Sequence, residues 1–338
     1  MFVLLIDYRP EYLSSADEAT SLLTLPFGVR SFVAQVSARA LDWLQGDLLV
    51  MPTFRYGSGY EGGLASLGQP SPRVVGESQL SRILAKAESS DQLLVVDSAR
   101  WPADGFELLG SIAQYADYRG ATHLIAVGAD GDRTREYLEC DDSGQVQRVQ
   151  RFYDGVNWPA AAMTGGFASI LPARAVADVS FKSLAELRTQ LSASGVLSRD
   201  IPKASDLFDL TTEAGALGLN EQLVAEAIRS EEIAPGFLRT NGEVLVGRGC
   251  KVHPSARLVG PLILHEQVTV DEEVTVIGPT VIGAGSHLQR GATIAQAVVA
   301  GGTTIDQREP IRRRVATGQD GHPSRQSAGD GRMAAFPT

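Results

Sequence analysis

The chain has 338 residues, of which 43% are hydrophobic and 21% charged, with a formal net charge of −10. This is the make-up of an ordinary globular protein, and its acidity argues against nucleic acid or an anionic membrane surface as a general partner. The two cysteines, Cys140 and Cys250, are far apart and lack metal-ligand spacing, which points to reduced thiols in the cytoplasm and excludes a disulfide scaffold.

The apolar opening Phe2–Ile6 is followed at once by Asp7 and Arg9, so it is too short to span a membrane and reads as a buried first strand. Arg30–Leu44 reads as a helix with Phe32, Val33, Val36, Ala40 and Leu44 on its apolar face. Asp47–Pro52 is the next strand, Gln79–Ala87 a helix, and Gln92–Asp97 a central strand buried on both faces. Phe106–Tyr118 reads as helix and Ala121–Val127 as strand. Arg135–Cys140 and Gln145–Phe152 flank the hairpin-like turn Asp142-Ser143-Gly144. Phe167–Leu171 is a short strand. From about 175 to 235 the pattern is helical, with Ser183–Leu191 and Asn220–Ile228 the clearest segments, and Ser183 serves as N-cap with Glu186 three residues on. This alternation predicts a layered α/β domain over residues 1–235.

Beyond it the period changes. From Val252, every sixth residue is aliphatic or small: Leu258, Leu264, Val270, Val276, Ile282, Leu288, Ile294, Ala300. A second register (Ala256, Leu262, Val268, Val274, Thr280, Ser286, Ala292, Val298) runs four behind. Helices do not repeat every six residues and strands alternate every two, so the pattern predicts a β-helix over 236–306, one strand and one turn per hexad. Residues 307–338 are rich in Arg, Gly, Ser and Gln and are expected to form a disordered tail, with Arg312-Arg313-Arg314 a solvated charge run.

Particular segments sharpen this into a resemblance. These are Leu25–Arg30, Val75-Gly76-Glu77-Ser78, Leu93–Asp97, Asp142–Val146, Thr164-Gly165-Gly166 with the strand that follows, and Phe208–Thr212. In order and framing they resemble the sugar-1-phosphate nucleotidylyltransferases, including mannose-1-phosphate guanylyltransferases and glucose-1-phosphate pyrophosphorylases with β-helical tails. The resemblance extends to Asp306. It implies a Rossmann-like nucleotide-diphospho-sugar transferase domain followed by a hexapeptide-repeat left-handed parallel β-helix. It also implies in-line attack of a sugar phosphate on a nucleoside triphosphate, with Mg²⁺, cationic side chains and backbone amides neutralising charge. On this frame Asp97 and Asp209 are the metal carboxylates and Arg9 stands in for the phosphate-contacting arginine. Gly76 and Glu77 face the base, and Thr164, Gly165 and Gly166 hold the sugar.

The sequence also departs from the family. Where a glycine-rich phosphate loop should follow the first strand stands Asp7-Tyr8-Arg9-Pro10-Glu11-Tyr12-Leu13. Asp7 and Glu11 would repel phosphate, and no glycine permits close backbone approach. Ala99 occupies the strict metal-ligand position, Arg151-Phe152 the place of a Glu-Lys pair, and Lys86, Lys182 and Lys203 fall outside the matching motifs. The expected protein therefore keeps a nucleotide-handling scaffold and has lost most catalytic parts, binding a nucleotide, a nucleotide sugar or a partner subunit and acting structurally or regulatorily without efficient transfer. The alternatives are an active, Mg²⁺-dependent enzyme with relocated residues, or a sugar acyltransferase using a prism histidine. His253, His265 and His287 are expected in turns or facing outward. Gly57–Gly62 fits G-x-G-x-x-G but follows the second strand, so it reads as a loop able to close over a ligand. Trp101, Tyr153 and Trp158 are candidates to line the cleft, and self-association through the β-helix is expected.

Overall fold

In a computed structural model of the chain, the described residues are all but 15, 17, 41–47, 68–70, 104–114, 117–118, 128–133, 141–145, 154–163, 205–206, 241–242, 309 and 319–338. The α/β domain contains β1 (Phe2–Asp7), the small hairpin β2 (Pro26–Phe27) and β3 (Arg30–Ser31), α1 (Phe32–Ala40), β4 (Leu48–Pro52), α2 (Ser58–Leu67), β5 (Arg73–Val74), α3 (Glu77–Leu84), β6 (Gln92–Asp97) and β7 (Arg100–Pro102). It continues through β8 (Ala121–Val127), β9 (Thr134–Cys140), β10 (Val146–Tyr153), β11 (Thr164–Pro172), α4 (Leu184–Ala193), β12 (Ser198–Ala204), β13 (Leu207–Asp209) and α5 (Glu213–Arg229).

The main sheet runs β10-β9-β11-β6-β1-β4-β5, with β8 beside β11 and β12 beside β8. β1 is parallel to both β4 and β6, and Ile6 stands opposite Met51 on one side and Asp97 on the other. The chain leaves β1 for β4 and β5, then crosses back to β6. That reversal opens a crevice at the carboxyl ends of β1 and β6. β1 and β6 are continuous aliphatic runs because both faces are covered. Val3, Leu5, Leu94 and Val96 meet Phe32, Val36, Trp101 and Leu219 on one side. Leu4, Ile6, Leu93 and Val95 meet Leu80, Leu84, Leu187 and Leu191 on the other.

Several expectations need correction. The glycine-rich stretch expected as a loop is helix α2, because Tyr60 and Leu64, four residues apart, are fully buried and anchor it against glycine's poor propensity. The 175–235 region is not wholly helical: β12 pairs in parallel with β8, and β13 antiparallel with β7. A polar, proline-bearing segment such as Ser198–Ala204 can serve as a sheet-edge strand without the alternation that reveals most strands. The short strand expected at Phe167–Leu171 spans Thr164–Pro172. The turn Asp142-Ser143-Gly144 and Trp158 lie outside the described residues, as do most of Phe106–Tyr118 and the end of Arg30–Leu44; the β9–β10 antiparallel ladder is described.

After β14 (Phe237–Thr240) and β15 (Val244–Gly247), short strands wind into three parallel ladders, one per prism face. Leu262 stands over Val244 and Thr280 over Leu262, so each coil takes eighteen residues, or three hexads. Val270, Val276, Ile282, Leu288 and Ile294 fill the interior. The small second-register positions Thr280 and Ser286 are buried, their hydroxyls donating to the carbonyls of Ile277 (2.6 Å) and Ala300 (3.0 Å).

The coil then loses one residue. Ile277 pairs with Ala295, but Val281 pairs with Val298, because Gln296 at φ 51° replaces the Gly278-Pro279 corner of the coil below. The inward positions become Val299, Ile305, Ile311 and Ala316. Val298 and Ala300, expected inside the prism, instead join the core of the α/β domain. The expected end at Asp306 is therefore wrong. The stacking continues through Ile311–Arg312 and Val315–Ala316, with the hexad phase shifted by one.

One prism face docks on the α/β domain. Leu245, Ile263 and Val281 pack against Val224, Ala227, Ile228 and Val29. Further along, Val298, Ala300 and Val315 meet the cluster holding Ala216 and Leu219. The seventeen residues of α5 span about 25 Å and run along the stacked rungs, with the helix N-terminus at the last coil. His265, expected in a turn or facing outward, is instead half-buried in this junction. Its Nε2 is 2.9 Å from the Gly28 carbonyl oxygen, Phe237 packs edge-on at 5.5 Å, and burial holds its pKa below the usual histidine value. None of the described helices is long and apolar enough to cross a membrane.

Candidate functional site

The crevice at the carboxyl ends of β1 and β6 is the place in an open α/β sheet where ligands bind. Asp7 ends β1, and its side chain is fully buried. Tyr60 of α2 donates its hydroxyl to Asp7 Oδ2 at 2.5 Å, while the N–H groups of Tyr8 (2.8 Å) and Leu23 (3.3 Å) donate to Oδ1. Desolvation outweighs these hydrogen bonds and pushes the Asp7 pKa up to about 6. Burial, and then the Asp7 charge, push the Tyr60 phenol far above its ordinary value. Tyr60 also packs against Phe54 (5.6 Å) and Tyr56 (5.1 Å), which makes an aromatic wall beside the end of β4.

The segment after β1 is closed upon itself. The Tyr8 amide serves Asp7, the Leu13 amide donates to the Pro10 carbonyl, and the Ser14 amide to that of Glu11. Leu13, Leu22 and Leu23 are fully buried and hold the segment down. A phosphate cradle needs free amides converging on one point, and the Tyr8, Leu13 and Ser14 amides are already satisfied within the chain. Arg9, expected to contact phosphate, lies 4.7 Å over the Phe54 ring and donates to the carbonyls of Thr20 (3.0 Å) and Glu18 (2.8 Å). Its role in the structure is to pin the segment.

Asp97 and Asp209 come to one neighbourhood, since β13 pairs with β7 just past the end of β6 and places Asp209 opposite Arg100. Each aspartate shapes its own turn. Asp97 Oδ1 accepts from the Ala99 amide (2.9 Å), and Asp209 Oδ1 from the Thr211 amide (3.0 Å) and hydroxyl (2.6 Å). Among the described residues no group of three or more His, Cys, Asp or Glu is arranged to hold a metal. Mg²⁺ is usually held by one or two carboxylates, with water and substrate phosphates completing the octahedron, and Asp97 and Asp209 are the two carboxylates that would serve.

Around Asp209 the site gains residues that the sequence did not single out. Tyr12 donates to the Leu210 carbonyl at 2.7 Å, and its phenol is pushed up by burial and then by the charges of Glu213 and Asp209. Thr212 caps α5 by accepting from the Gly215 amide at 3.1 Å, and Glu213 accepts from the Val315 amide of the last prism coil at 2.8 Å. The Thr-x-x-Gly entry to α5 marked the cap, but nothing local marked its contact with the prism.

The remaining candidates sit elsewhere. Gly76 is the exposed N-cap of α3, and the Glu77 carboxylate accepts from the Ser180 hydroxyl at 3.1 Å, so both belong to the helix surface beyond β5. Thr164, Gly165 and Gly166 lie on β11 opposite β8. Gly166 leaves room for Arg188, whose Nη1 would lie 2.0 Å from any added Cβ. Arg188 is buried under α4, ion-paired to Asp200 at 3.1 Å, near the buried His123, which contacts the Ser169 hydroxyl at 2.7 Å. The glycine expected to hold a sugar thus accommodates a structural arginine. Trp101 is a core residue packed edge-on against Phe32 and Phe27.

On the prism, His287 Nε2 is 2.8 Å from Asp271 Oδ2, and His253 Nδ1 is 2.8 Å from the Ser255 hydroxyl. Both histidines are partly exposed, as expected. His253 lines an open cleft of about 560 Å³ together with Lys251, Asp271 and Arg290.

No family model and no curated protein matches the chain. Among solved structures it is similar to HddC from Yersinia pseudotuberculosis, crystallised in complex with GMP-PN. The identity is 13%, over 65% of this chain and 98% of that one, with a TM-score of 0.46.

Proposed function

We propose that the chain is a nucleotide- or nucleotide-sugar-binding relative of the sugar-1-phosphate nucleotidylyltransferases, with little or no transfer activity of its own. The binding half is supported by the crevice at the chain reversal between β1 and β6, walled by Phe54, Tyr56 and Tyr60, in a domain joined to a β-helix. The loss of transfer is supported above all by the Asp7–Tyr60 pair. A buried carboxyl and a phenol occupy the end of β1, where polyphosphate would require free amides and positive charge. Arg9, the cation of this segment, is held by the Glu18 and Thr20 carbonyls and the Phe54 ring.

The test combines a melting screen with a pyrophosphate assay across nucleoside triphosphates and sugar 1-phosphates in the presence of Mg²⁺. A bound nucleotide is expected to raise the melting temperature according to its occupancy, with no pyrophosphate release above background. Robust turnover that is abolished by Asp209→Ala would overturn the loss of transfer. A flat melting profile for every nucleotide and nucleotide sugar would overturn the binding.

A further inference from the structure

The last prism coil reaches the α/β domain at the same edge as the candidate site. The Val315 side chain is buried in the core cluster that contains Leu210 and Ala216, and its amide donates to Glu213, four residues beyond Asp209. Immediately before Val315 run Arg312, Arg313 and Arg314. Their backbone belongs to the coil. The Arg313 amide donates to the Ala295 carbonyl (3.0 Å), and the Arg314 carbonyl accepts from the Val298 amide (3.1 Å). Arg313 turns the corner at φ 50°, repeating Gln296 one coil earlier.

Among the described residues, no acid pairs with the three guanidinium groups. Elsewhere on the prism, Arg290 pairs with Glu272 and Glu273 and Arg308 with Asp306. Under the arginine run the preceding coil offers Ala295, Gln296 and Ala297, which carry no charge. Among the described residues, the side chains of Arg312, Arg313 and Arg314 have no hydrogen bond or ion pair. At the entry to α5, Asp209 accepts from Thr211 and Glu213 from the Val315 amide. Three adjacent like charges repel one another, and a multivalent anion relieves that repulsion.

We propose that Arg313 and Arg314, at the corner leading from the free face that carries Arg312 onto the docked face of Val315, form the phosphate-receiving edge of the candidate site, with Arg312 adding to its positive field. The positive charge missing from the segment after β1 would then come from the prism, and a ligand carrying a di- or triphosphate would bind across the domain junction. This rests on the nucleotide-binding reading above and adds to it which residues take the phosphates.

The experiment uses the full chain and three variants: the triple Arg312→Gln, Arg313→Gln, Arg314→Gln, the single Arg314→Gln, and Arg257→Gln as an exposed control on the first coil. Glutamine suits the corner because Gln296 already holds the same backbone conformation one coil earlier. Calorimetric titrations with inorganic pyrophosphate, nucleoside triphosphates and the corresponding nucleosides are run at low and physiological salt. Melting without ligand checks folding of each variant. The expected result is triphosphate affinity that falls with salt and drops about tenfold or more in the triple variant. The single variant should fall between, and Arg257→Gln should match the parent. Unchanged triphosphate affinity in the triple variant would overturn this proposal and leave the nucleotide-binding reading standing. Arginine-dependent binding of pyrophosphate without binding of any nucleotide would uphold the arginine edge and overturn that reading. Failure of the parent to bind any phosphate ligand would overturn both. Tighter arginine-dependent binding of polyglutamate than of pyrophosphate would assign the edge to an acidic protein and sink the proposal.

Discussion

The prism and the segment after β1 bury comparable side chains by different rules. In the prism, each inward residue stacks on its counterpart one coil earlier, so Val270 meets Leu288 and Val276 meets Ile294 through the same ladder contact. Order there is local and repeated. At the end of β1, order depends on contacts made once, between residues far apart in the chain: Asp7 with Tyr60, and Tyr12 with the Leu210 carbonyl. A stack can lose or shift one unit and continue, as it does at Gln296. Contacts made once have no such redundancy, so a single substitution at the end of β1 removes its order outright.

The prism is itself two-sided, and this gives the largest expected effect. Ile263 points outward on the docked face and is fully buried, whereas Ile277 points outward on a free face and is 39% exposed. Ile263→Asp places an unpaired charge in the domain junction and is expected to cost about 4 kcal/mol or more. Ile277→Asp, on the same scaffold, should stay within about 0.5 kcal/mol of the parent. Urea unfolding of both variants decides it. Equal losses would mean that the docked face is not a true interior.

Next in size is the buried ion pair under α4. Arg188→Met leaves Asp200 uncompensated in the interior, and the expected loss is about 3 kcal/mol. Because this pair lies on the far side of the sheet from the Tyr60 wall, nucleotide affinity in the surviving folded fraction should not change. A selective loss of affinity, with unfolding unaltered, would show that the arginine serves the ligand and that Gly166 belongs to a sugar pocket after all.

Much of the fold was legible because burial was periodic. The aliphatic runs Phe2–Ile6 and Gln92–Asp97 gave the central strands, and Ser183 with Glu186 gave the start of α4, where the Glu186 amide donates to the Ser183 hydroxyl at 3.1 Å. The hexads gave the prism, but counting by six from Val252 goes out of phase once Gln296 replaces a two-residue corner. Ile305, Ile311 and Ala316 were then invisible as anchors, and the arginine run was assigned to a tail. The site was less legible still. Asp97 could be placed at a strand end from pattern, and Asp209 only through the family resemblance, yet what fills the crevice depends on Tyr60, which sits in a stretch whose glycines suggested a loop. No local pattern encodes the meeting of Tyr60 with Asp7 across the fold. The same is true of Glu213 with Val315, separated by 102 residues.

The smallest effect tests whether the Asp7–Tyr60 pair is packing or chemistry. The Asp7 pKa is raised from 3.8 to about 6, so the folded protein holds this proton more tightly than the unfolded chain does. The stability from that difference is fully present below about pH 4 and is lost as pH rises through 6. A shift of this size corresponds to an upper limit of about 3 kcal/mol, and relaxation around the ionised carboxylate should reduce the observed loss to about 1–2 kcal/mol. Asp7→Asn cannot ionise, yet its amide oxygen can still accept from the Tyr8 and Leu23 amides. Between pH 4 and 7.5 the parent is therefore expected to lose stability that the variant keeps, as read from urea midpoints at each pH. If Asp7 only fills the crevice, nucleotide affinity should be the same in both proteins. A variant that gains stability but loses the nucleotide would place this carboxyl among the groups that touch the ligand, and the end of β1 would then be a working site and not a plugged one.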